Sequence, residues 1–246
     1  MGKVISIINN QLGSGKTFIS TNLVVQMSRS LLKVLVIDMD PQNELSQNFG
    51  ARETDDNMYL ALTDKKHIET VKIHPAVELI PACLDLIGCE IELVTYPNRE
   101  YILAEFINKY RDDYDYIIID NSSSTGLLVV NALVASDIVI VPLVAEINEP
   151  ERNKKLIHAI NKVDEVYRSK KLDVRFLINN KTSDSTIGSL KKSLSNLGCT
   201  NFMNTELPHI NKSNNKSTPE SPWNPYELEN SNCFKSLVSE ITNHKI

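Results

Sequence analysis

An apolar run that leads into a glycine turn restricts the fold of this chain more than any other feature. Val4–Ile8 has the length and composition of a buried strand, and Gly13–Thr17 reads Gly-Ser-Gly-Lys-Thr. Glycines allow backbone N–H groups to curve around phosphate oxygens, a lysine adds a positive charge, and a threonine hydroxyl can reach Mg²⁺. The sequence therefore predicts a strand, a phosphate-binding loop and a helix at the beginning of an α/β domain.

The glycine turn departs from the complete phosphate-loop pattern at one position. That pattern has a glycine five residues before Gly15, and Asn10 is found there. A short Gly-x-Gly-Lys-Thr segment also occurs by chance, so the interpretation needs support from the rest of the chain. Two later strands provide that support.

Two further apolar strands end in carboxylates. Val34–Ile37 is followed by Asp38 and Asp40, and Tyr116–Ile119 is followed by Asp120. The carboxyl ends of parallel strands meet at one edge of the sheet, where open α/β sheets bind their ligands. A carboxylate at that edge can hold Mg²⁺ beside a triphosphate, although a single aspartate after a strand can also be a turn residue or a helix cap. Because three such aspartates follow the glycine turn in the order that a nucleotide site requires, the pattern favours a metal site.

Apolar strands and amphipathic helices alternate along the whole chain. Such alternation with crossover helices predicts an α/β fold, with a mostly parallel, twisted sheet flanked by helices on both faces. At 246 residues and 41% hydrophobic composition, the chain is long enough for one large core, so we expect a single nucleotide-binding domain over 1–246. The predicted strands are Val4–Ile8, Val34–Ile37, Val77–Pro81, Tyr116–Ile119, Ile138–Pro142 and Val174–Ile178. The predicted helices are 16–29, 44–49, 58–62, 99–110, 127–135, 149–167 and 185–197.

The carboxyl-terminal part of the chain contains two contrasting segments. Residues 211–232 are rich in Asn, Ser, Pro and Lys, which predicts a surface loop; a nucleotide-sensitive lid or a partner contact is the alternative. After this segment, apolar residues repeat at helical spacing at Phe234, Leu237, Val238 and Ile241. A membrane-binding helix needs an opposite face rich in Lys and Arg, so we predict that this stripe packs in the core.

The net charge and the cysteine content narrow the possible classes of protein further. The formal net charge of −5 disfavours a protein that coats nucleic acid but allows a local basic patch. The four cysteines have no metal-ligand spacing, as expected for thiols in a reducing compartment. We find no signal peptide and no apolar run of membrane-spanning length, so we expect a cytoplasmic protein that does not bind membranes.

Four segments of the chain, taken together, resemble the ParA/MinD family of deviant Walker-type ATPases. The similarity is to the short, Soj-like ParA proteins of plasmid and chromosome partition; it extends over nearly the whole chain and implies a P-loop NTPase fold. Because the chain begins at the nucleotide loop, it resembles the form without the amino-terminal DNA-reading extension. The four segments are Ile37–Gln42 (IDxDPQ in the family), Leu79–Leu93 (LIPAxxxLxxxExEL), Tyr114–Asp120 (YDYIIID) and Ala135–Pro142 (AD-x-VIVP).

The resemblance implies a cycle driven by nucleotide. ATP with Mg²⁺ would promote a homodimer that binds DNA without sequence preference. A centromere-binding, ParB-like adaptor protein would then stimulate ATP hydrolysis and release. Such a protein would serve plasmid or chromosome segregation, and it would lie on the nucleoid when it binds DNA.

The same resemblance implies a role for individual site residues. Lys16 would contact the β- and γ-phosphates, and Thr17 would ligate Mg²⁺. Asp38 and Asp120 would support the metal, while Asp40 would position the attacking water. The remaining predicted nucleotide contacts are Gly13, Ser14, Gly15, Phe18, Asn179 at the end of the base-binding strand, and Pro208 in the loop that covers the adenine.

Several positions around the loop depart from the family pattern. Gln11 occupies the place of the signature lysine, a catalytic residue that reaches across the dimer to the phosphates of the other subunit. An amide can hydrogen-bond phosphate but cannot neutralise it, and a cation supplied in trans can raise the rate about a thousandfold. Leu12 replaces a glycine, Phe18 replaces a hydroxyl residue, and Asn121–Ser123 replaces a TPP-like turn.

These departures lead to two hypotheses about activity. In the first, nucleotide binding survives, and hydrolysis is slow or depends on another lysine or arginine that replaces Gln11 in trans. In the second, the chain is a non-hydrolysing module that binds nucleotide and acts as a regulator or adaptor. Phosphate release with and without DNA separates the two.

Contact with DNA would require clustered basic residues that neutralise phosphates. Each basic residue of this chain can also belong to a solvated helix face. The candidates for DNA contact are Lys154, Lys155, Lys181, Lys191, Lys192, Lys212 and Lys216.

Overall fold

The described residues form one seven-stranded sheet with apolar layers and helices on both faces. In the computed structural model they comprise 1–51, 54–64, 67–144, 150–181, 183–208 and 228–242. The strands are β1 (Lys3–Ile7), β2 (Val34–Met39), β3 (Val71–His74), β4 (Val77–Ile80), β5 (Tyr116–Asn121), β6 (Ile138–Val144) and β7 (Asp173–Asn179). Their order is β3-β4-β2-β5-β1-β6-β7, and every pairing is parallel except that of β3 with β4. The prediction of a mostly parallel α/β sheet is confirmed.

Helices connect the strands and cover the sheet. They are α1 (Lys16–Arg29), α2 (Glu44–Asn48), α3 (Met58–Thr63), α4 (Leu86–Leu93), α5 (Ile102–Ile107), α6 (Leu127–Ala135), α7 (Pro150–Tyr167), α8 (Asp184–Ser195) and α9 (Leu228–Thr242). A short 3₁₀ turn, Arg99–Tyr101, precedes α5. No helix in the described ranges has both the length and the apolar composition needed to cross a membrane.

The register of the central strands brings the predicted site residues to one edge of the sheet. β2 and β5 are buried along their full length, as parallel strands covered on both faces must be. Asp38 lies opposite Asp120 in the pairing of β2 with β5, and Ile7 lies opposite Asp120 on the other side. The loop after β1 and the two carboxylates therefore meet at the carboxyl edge, where open α/β sheets bind ligands.

Two apolar layers, one on each face of the sheet, hold the helices. On one face, side chains of α1 and α9 are excluded from solvent, including Leu23, Met27, Leu237 and Ile241. The larger layer on the other face contains helices α3 to α8. The carboxyl-terminal apolar stripe is thus part of the core, as predicted, and full burial of one such side chain contributes about 1.5–3 kcal/mol.

Three elements differ from the sequence prediction. The sequence does not predict β3, because this antiparallel edge strand is only half-buried and lacks a continuous apolar run. It does not predict α4, because apolar residues occur on both the buried and the exposed sides of that helix. α9 begins at Leu228, so residues 228–232 of the predicted surface loop are helical; packing of the apolar stripe overrides their weak helix propensity. The remainder of that prediction, 211–227, lies outside the described residues.

Candidate nucleotide and metal site

The loop between β1 and α1 has the backbone geometry of a phosphate-binding loop. Gly13 and Gly15 have φ angles of 74° and 86°, in the left-handed region that favours glycine. A Cβ atom on Gly15 would overlap Nδ2 of Asn179, so a larger residue does not fit there. Gly15 is also the N-cap of α1 and gives it no side-chain cap. The first N–H groups of α1 can therefore face an anion, which the helix dipole also favours.

Lys16, the first residue of α1, is buried at this edge of the sheet. Its Nζ donates a hydrogen bond to Oγ of Ser123 at 2.6 Å. Burial lowers the pKa of Lys16, and the charges of Asp120, Asp40 and Glu44 oppose that effect. Because its hydrogen-bond partner is neutral, a phosphate oxygen can compete for the ammonium group through a stronger, charge-assisted bond.

Asp38, at the end of β2, is fully buried, and protein donors satisfy its carboxylate. Oδ2 accepts hydrogen bonds from the backbone N–H and the hydroxyl of Ser46 at 2.9 and 2.7 Å. Oδ1 accepts one from the N–H of Asp40 at 3.1 Å. Burial raises the pKa of Asp38 to about 6, although these hydrogen bonds lower it. Asp38 therefore fixes the turn between β2 and α2 against the sheet.

Asp120, opposite Asp38 at the end of β5, has one oxygen that protein donors leave open. Oδ1 accepts a hydrogen bond from the hydroxyl of Ser20 at 2.8 Å. Oδ2 is buried, yet within the described ranges it accepts no hydrogen bond of normal geometry. Burial and the charge of Asp38 raise the pKa of Asp120 to about 7, against the lowering effects of Ser20, Thr17 and Lys16. An open carboxylate oxygen in a dry site is costly, so a cation beside it would be stabilising.

These residues fit a bound Mg²⁺. The open Oδ2 of Asp120 and the hydroxyl of Thr17, in the first turn of α1, are hard oxygen ligands of the kind that Mg²⁺ prefers. Mg²⁺ usually takes one or two protein ligands and completes its shell with water and substrate phosphates. Thr17 and Asp120 would hold the ion, with Asp38 beside them.

Two more polar groups of the loop have no protein partner. The hydroxyl of Ser14 and Oδ1 of Asn10 are buried without a hydrogen bond in the part of the chain that the structure describes. Buried polar atoms are nearly always paired, so each exception needs an explanation. A hydroxyl can donate to a phosphate oxygen, which accounts for Ser14. The carbonyl oxygen of Asn10 is an acceptor, and nothing in the structure explains it.

The residues that depart from the family pattern lie at the entrance of the loop and behind it. The N–H of Gln11 donates to Oδ1 of Asn9 at 2.8 Å, and Gln11 is only 7% exposed. Gln11 is therefore largely covered by the rest of its own chain. Leu12, in contrast, is 80% exposed. The ring of Phe18 contacts Phe234 of α9 edge-to-face, with centroids 5.7 Å apart, so the partly buried Phe18 side chain packs against the apolar layer that contains α1 and α9.

Asn179, at the end of β7, supports the phosphate loop. Its Nδ2 donates to the carbonyl oxygen of Ser14 at 2.9 Å, and its Oδ1 accepts from the N–H of Asn180 at 3.0 Å. Pro208 pairs with Lys181 in a short parallel bridge just beyond β7. The structure thus brings Asn179 to the loop and Pro208 to the neighbouring part of the edge. A role in holding the base stays a prediction for both.

Three serines that the sequence analysis does not assign a role complete the site. Ser20, Ser46 and Ser123 each form one of the side-chain hydrogen bonds described above. Ser20 follows Lys16 by four residues, one helical turn, so both lie on one face of α1; that spacing could have identified it. The other two depend on turns whose geometry residue spacing does not reveal.

The basic residues considered for DNA contact differ in their surroundings. Lys181 and Lys191 each form an ion pair with Glu206 at 2.9 Å. The α7 pair at 154–155 and Lys192 on α8 are exposed. The remaining candidates, Lys212 and Lys216, lie outside the described residues.

The fold and the geometry of its first loop place the chain in the class of P-loop nucleotide-binding proteins. A family model described as an AAA domain matches residues 2–174. The chain is 36% identical over 169 residues to the chromosome partitioning protein ParA of Myxococcus xanthus, covering 66% of this chain and 59% of the relative. It is 37% identical over 168 residues to the sporulation initiation inhibitor protein Soj of Bacillus subtilis, covering 66% of each. The chain therefore belongs to the ParA/MinD family, as its motifs predict.

One solved structure has the same fold as this chain over nearly the full length of both. Cobyrinic acid a,c-diamide synthase from Mycobacterium smegmatis, with bound ADP and magnesium, has a TM-score of 0.80 to this chain. The match covers 100% of this chain and 98% of that one at 22% identity, a level at which the similarity shows the fold alone. The match to the ParA and Soj relatives covers less than two thirds of their length, 59% and 66%.

Proposed function

We propose that this chain is a ParA-like ATP-binding protein that acts as a nucleotide-dependent dimer switch in plasmid or chromosome segregation and hydrolyses ATP slowly. The observation that carries the proposal is the open Oδ2 of Asp120 at the same sheet edge as the uncapped end of α1. An open carboxylate oxygen favours a cation and free helix N–H groups favour an anion. Magnesium with a triphosphate supplies both, whereas a purely structural role needs neither.

Each site residue has a separate task in this proposal. The loop N–H groups and Lys16 would bind the phosphates, and Thr17 and Asp120 would hold Mg²⁺. When bound, the metal would offset negative charge on the transferred phosphoryl group. Asp40 is partly exposed, and its Oδ1 accepts a hydrogen bond from the N–H of Gln42 at 2.9 Å. A carboxylate that is oriented but accessible to water is suited to position the attacking water.

Slow turnover follows from the entrance of the loop. Gln11 carries no charge, and it is packed into its own chain. Arginine fingers, the best-measured cations supplied to a phosphoryl group, contribute about 10³–10⁵ in rate. An amide offers only a neutral hydrogen bond, so turnover should be limited by the missing cation unless a lysine or arginine of the second subunit replaces it.

The proposed partners are a second copy of the chain, a centromere-binding ParB-like adaptor, and DNA bound without sequence preference. The names of the Myxococcus xanthus and Bacillus subtilis relatives, a partitioning protein and a sporulation initiation inhibitor, support this direction. Among the described candidates, the exposed lysines at 154–155 and Lys192 suit phosphate contact better than Lys181 and Lys191, which share ion pairs with Glu206. A cytoplasmic protein that lies on the nucleoid when bound to DNA follows from the same proposal.

Equilibrium binding of magnesium-ATP, with sedimentation of the same samples, tests this function. Wild type should bind a fluorescent ATP analogue and dimerise with it. Lys16→Ala should weaken binding roughly ten- to a hundredfold, because a hydrogen bond to a charged group contributes about 1.5–3 kcal/mol. Lys33→Ala, which removes an exposed lysine at the start of β2, is the matched control and should bind like wild type. Negligible binding by wild type, or equal binding by Lys16→Ala, contradicts the proposal.

The uncharged, buried Gln11 also favours a second candidate, a nucleotide-binding regulator or adaptor that does not hydrolyse ATP. Steady-state phosphate release, with and without DNA, separates it from the slow ATPase. Release above the level of Lys16→Ala supports the ATPase switch. Binding of magnesium-ATP without any such release supports the regulator.

A further inference from the structure

Helix α4 carries apolar side chains on two opposite sides. Leu86, Cys89 and Leu93 are fully buried against the core. On the outer side, apolar side chains that are 57–77% exposed recur at intervals of three and four residues, a spacing that places them on one side of a helix. We name this outer set the α4 face: Leu84 in the turn before the helix, Ile87 and Ile91 on it, and Val94 at its C-cap. The water-facing side of a helix is normally polar, and adjoining exposed apolar side chains mark an interaction site.

The surroundings of the α4 face are acidic. Asp85 and Glu92 are exposed beside it, and Oε1 of Glu92 accepts a hydrogen bond from the hydroxyl of Tyr59 at 2.9 Å. The sequence contains no lysine or arginine between Lys72 and Arg99. Arg99 itself donates from Nη1 to the carbonyl oxygen of Val94 at 2.7 Å, and its charge is paired with Glu100. An occupant that complements this face must therefore combine apolar side chains with positive charge.

A second copy of this chain meets that requirement poorly. In a contact of two α4 faces related by twofold symmetry, each face meets its own equivalent. Such a contact would bring two acidic helices together, each with Asp85 and Glu92 exposed, and each chain has a formal net charge of −5. A basic amphipathic helix instead places its apolar side against the face and its lysines and arginines against the acidic rim.

The inner side of α4 touches the loop that holds Lys16. Oε1 of Glu90 accepts a hydrogen bond from the N–H of Leu128, in the first turn of α6, at 3.0 Å. A Cβ atom on Gly126 would overlap the same carboxylate, so backbone and side chain are in close contact there. The segment between β5 and α6 that ends at Gly126 also contains Ser123, the hydrogen-bond partner of Lys16. One carboxylate therefore separates an occupant of the α4 face from the nucleotide loop.

We propose that the α4 face docks a basic amphipathic helix of a partner protein. None of the four residues of the face belongs to the nucleotide site described above, so we expect docking itself not to require ATP. The consequence of docking for the Lys16 loop rests on the function proposed above.

A synthetic peptide tests the proposal on the nucleotide-free, full-length protein. The probe is a fluorescein-labelled Leu/Lys peptide of about 18 residues, five helical turns, with all leucines on one side. A scrambled peptide of equal composition is its control. Fluorescence anisotropy is measured for wild type, for the Ile87→Ser/Ile91→Ser double variant, and for Val166→Ser, which changes a 51% exposed apolar residue of α7. Circular dichroism verifies that all three proteins are folded.

We expect wild type and Val166→Ser to bind the amphipathic peptide equally. The double variant should bind it at least about tenfold more weakly, because a few apolar side chains at the centre of an interface carry most of its binding energy. The scrambled peptide should bind wild type about tenfold more weakly for the same reason. Added salt should weaken the amphipathic peptide further, because it screens the acidic rim.

Equal peptide binding by wild type and the double variant, or equal binding of both peptides, overturns the proposal. Nucleotide-free wild type that self-associates in sedimentation, when the double variant does not, also overturns it in favour of a second copy. Cosedimentation with phosphatidylserine vesicles that the double variant abolishes overturns it in favour of a lipid surface. ATP binding by the same proteins is measured separately: if it fails while peptide binding persists, the proposed function fails and the docking site stands.

Discussion

Two regions that meet at the nucleotide site differ in how completely they match an ATPase. The metal edge, formed by Asp38 and Asp120 at the ends of β2 and β5, is buried and held by serine hydroxyls. The loop entrance, formed by Gln11 and Leu12, presents a neutral buried amide and an exposed leucine. In the proposed function, the metal edge supplies the groups that bind a nucleotide, whereas the loop entrance has an amide where the family has its signature lysine. Binding and turnover can therefore be separated in this chain.

The separation has a physical basis. Groups that contact phosphate and metal equally in the ground state and the transition state determine affinity. A cation that meets the transferred phosphoryl group only as charge develops determines rate. In the proposed function, Lys16, Thr17 and Asp120 belong to the first kind, and the residue at position 11 belongs to the second. Variants at the metal edge should consequently change the affinity for ATP, and variants at the loop entrance should change the rate of hydrolysis.

The largest effect is expected from pH acting on the metal edge of the metal-free protein. Burial and the charge of Asp38 raise the pKa of folded Asp120 to about 7, from an ordinary value of 3.8. Folding therefore favours the protonated carboxyl; this stabilisation is fully present below about 3.8 and is lost as pH rises through about 7. A pKa difference of this size corresponds to a change of roughly 4 kcal/mol at most in the free energy of unfolding. Urea unfolding between acid and neutral pH should show it as a loss of wild-type stability relative to Asp120→Asn.

The same comparison has an internal control. Other carboxylates titrate in both proteins, so the difference between wild type and Asp120→Asn reports on Asp120 together with Asp38, the carboxylate coupled to it. Magnesium-ATP should restore wild-type stability at neutral pH, because a cation favours the ionised carboxylate. A stability difference that does not change with pH would show that the carboxyl is not perturbed by burial.

Gly15→Ala should have the next largest effect, on the loop side of the comparison. A non-glycine residue in the left-handed region costs about 1–2 kcal/mol, and a Cβ atom here also overlaps Asn179. Gly50→Ala is the matched control, because Gly50 has a φ of 68° with no described atom within 4 Å of its Cβ. Gly15→Ala should lose roughly 1–3 kcal/mol more in urea unfolding and bind ATP weakly. An equal loss of stability in both variants would show that the contact between position 15 and Asn179 does not restrict the loop.

Asp120→Asn should next sharpen the role of the metal edge in binding. The amide keeps the shape of the side chain but cannot offer a negative oxygen to Mg²⁺, so the gain in ATP affinity on adding Mg²⁺ should fall roughly ten- to a hundredfold. Asp112→Asn, at a side chain that is 81% exposed, serves as control. Calorimetric titration of ATP with and without Mg²⁺ measures the gain. An unchanged gain in Asp120→Asn would place the metal elsewhere.

Ser123→Ala should give the smallest effect. In the nucleotide-free protein Ser123 accepts the hydrogen bond of Lys16, and a phosphate must displace it. Without that competitor ATP should bind about two- to tenfold more tightly, the range of a single hydrogen bond. Ser122→Ala is the neighbouring control and should leave the affinity unchanged in the same titration. Weaker ATP binding in Ser123→Ala would instead make Ser123 a direct nucleotide contact.

The sequence predicts the buried parts of this molecule better than its turns. Apolar runs ending in Asp38 and Asp120 locate two central strands and their shared edge, because parallel strands buried on both faces leave a continuous apolar signal. The edge strand β3 and the two-sided helix α4 lack such a signal. A motif also leaves packing unpredicted: the position of Phe18 predicts a nucleotide contact, which stays a prediction, but not the contact of its ring with Phe234.

Individual hydrogen bonds of the site are the least predictable part. Ser20 could be found from its spacing to Lys16 along α1, whereas Ser46 and Ser123 reach the site through turns of irregular backbone. Burial of Gln11 depends on tertiary packing and leaves no trace in the residue pattern. The class of ligand follows from the sequence, but the way each group is held does not.

Single-turnover hydrolysis of magnesium-ATP by wild type and Gln11→Lys, with equilibrium binding of the same samples, tests the central claim most directly. Gln11→Met, a neutral side chain of similar length, controls for packing at this buried position. The account predicts that all three proteins bind ATP with similar affinity and that only Gln11→Lys hydrolyses it faster. Wild-type turnover that Lys16→Ala abolishes and Gln11→Lys leaves unchanged would contradict it, because another cation must then complete the site.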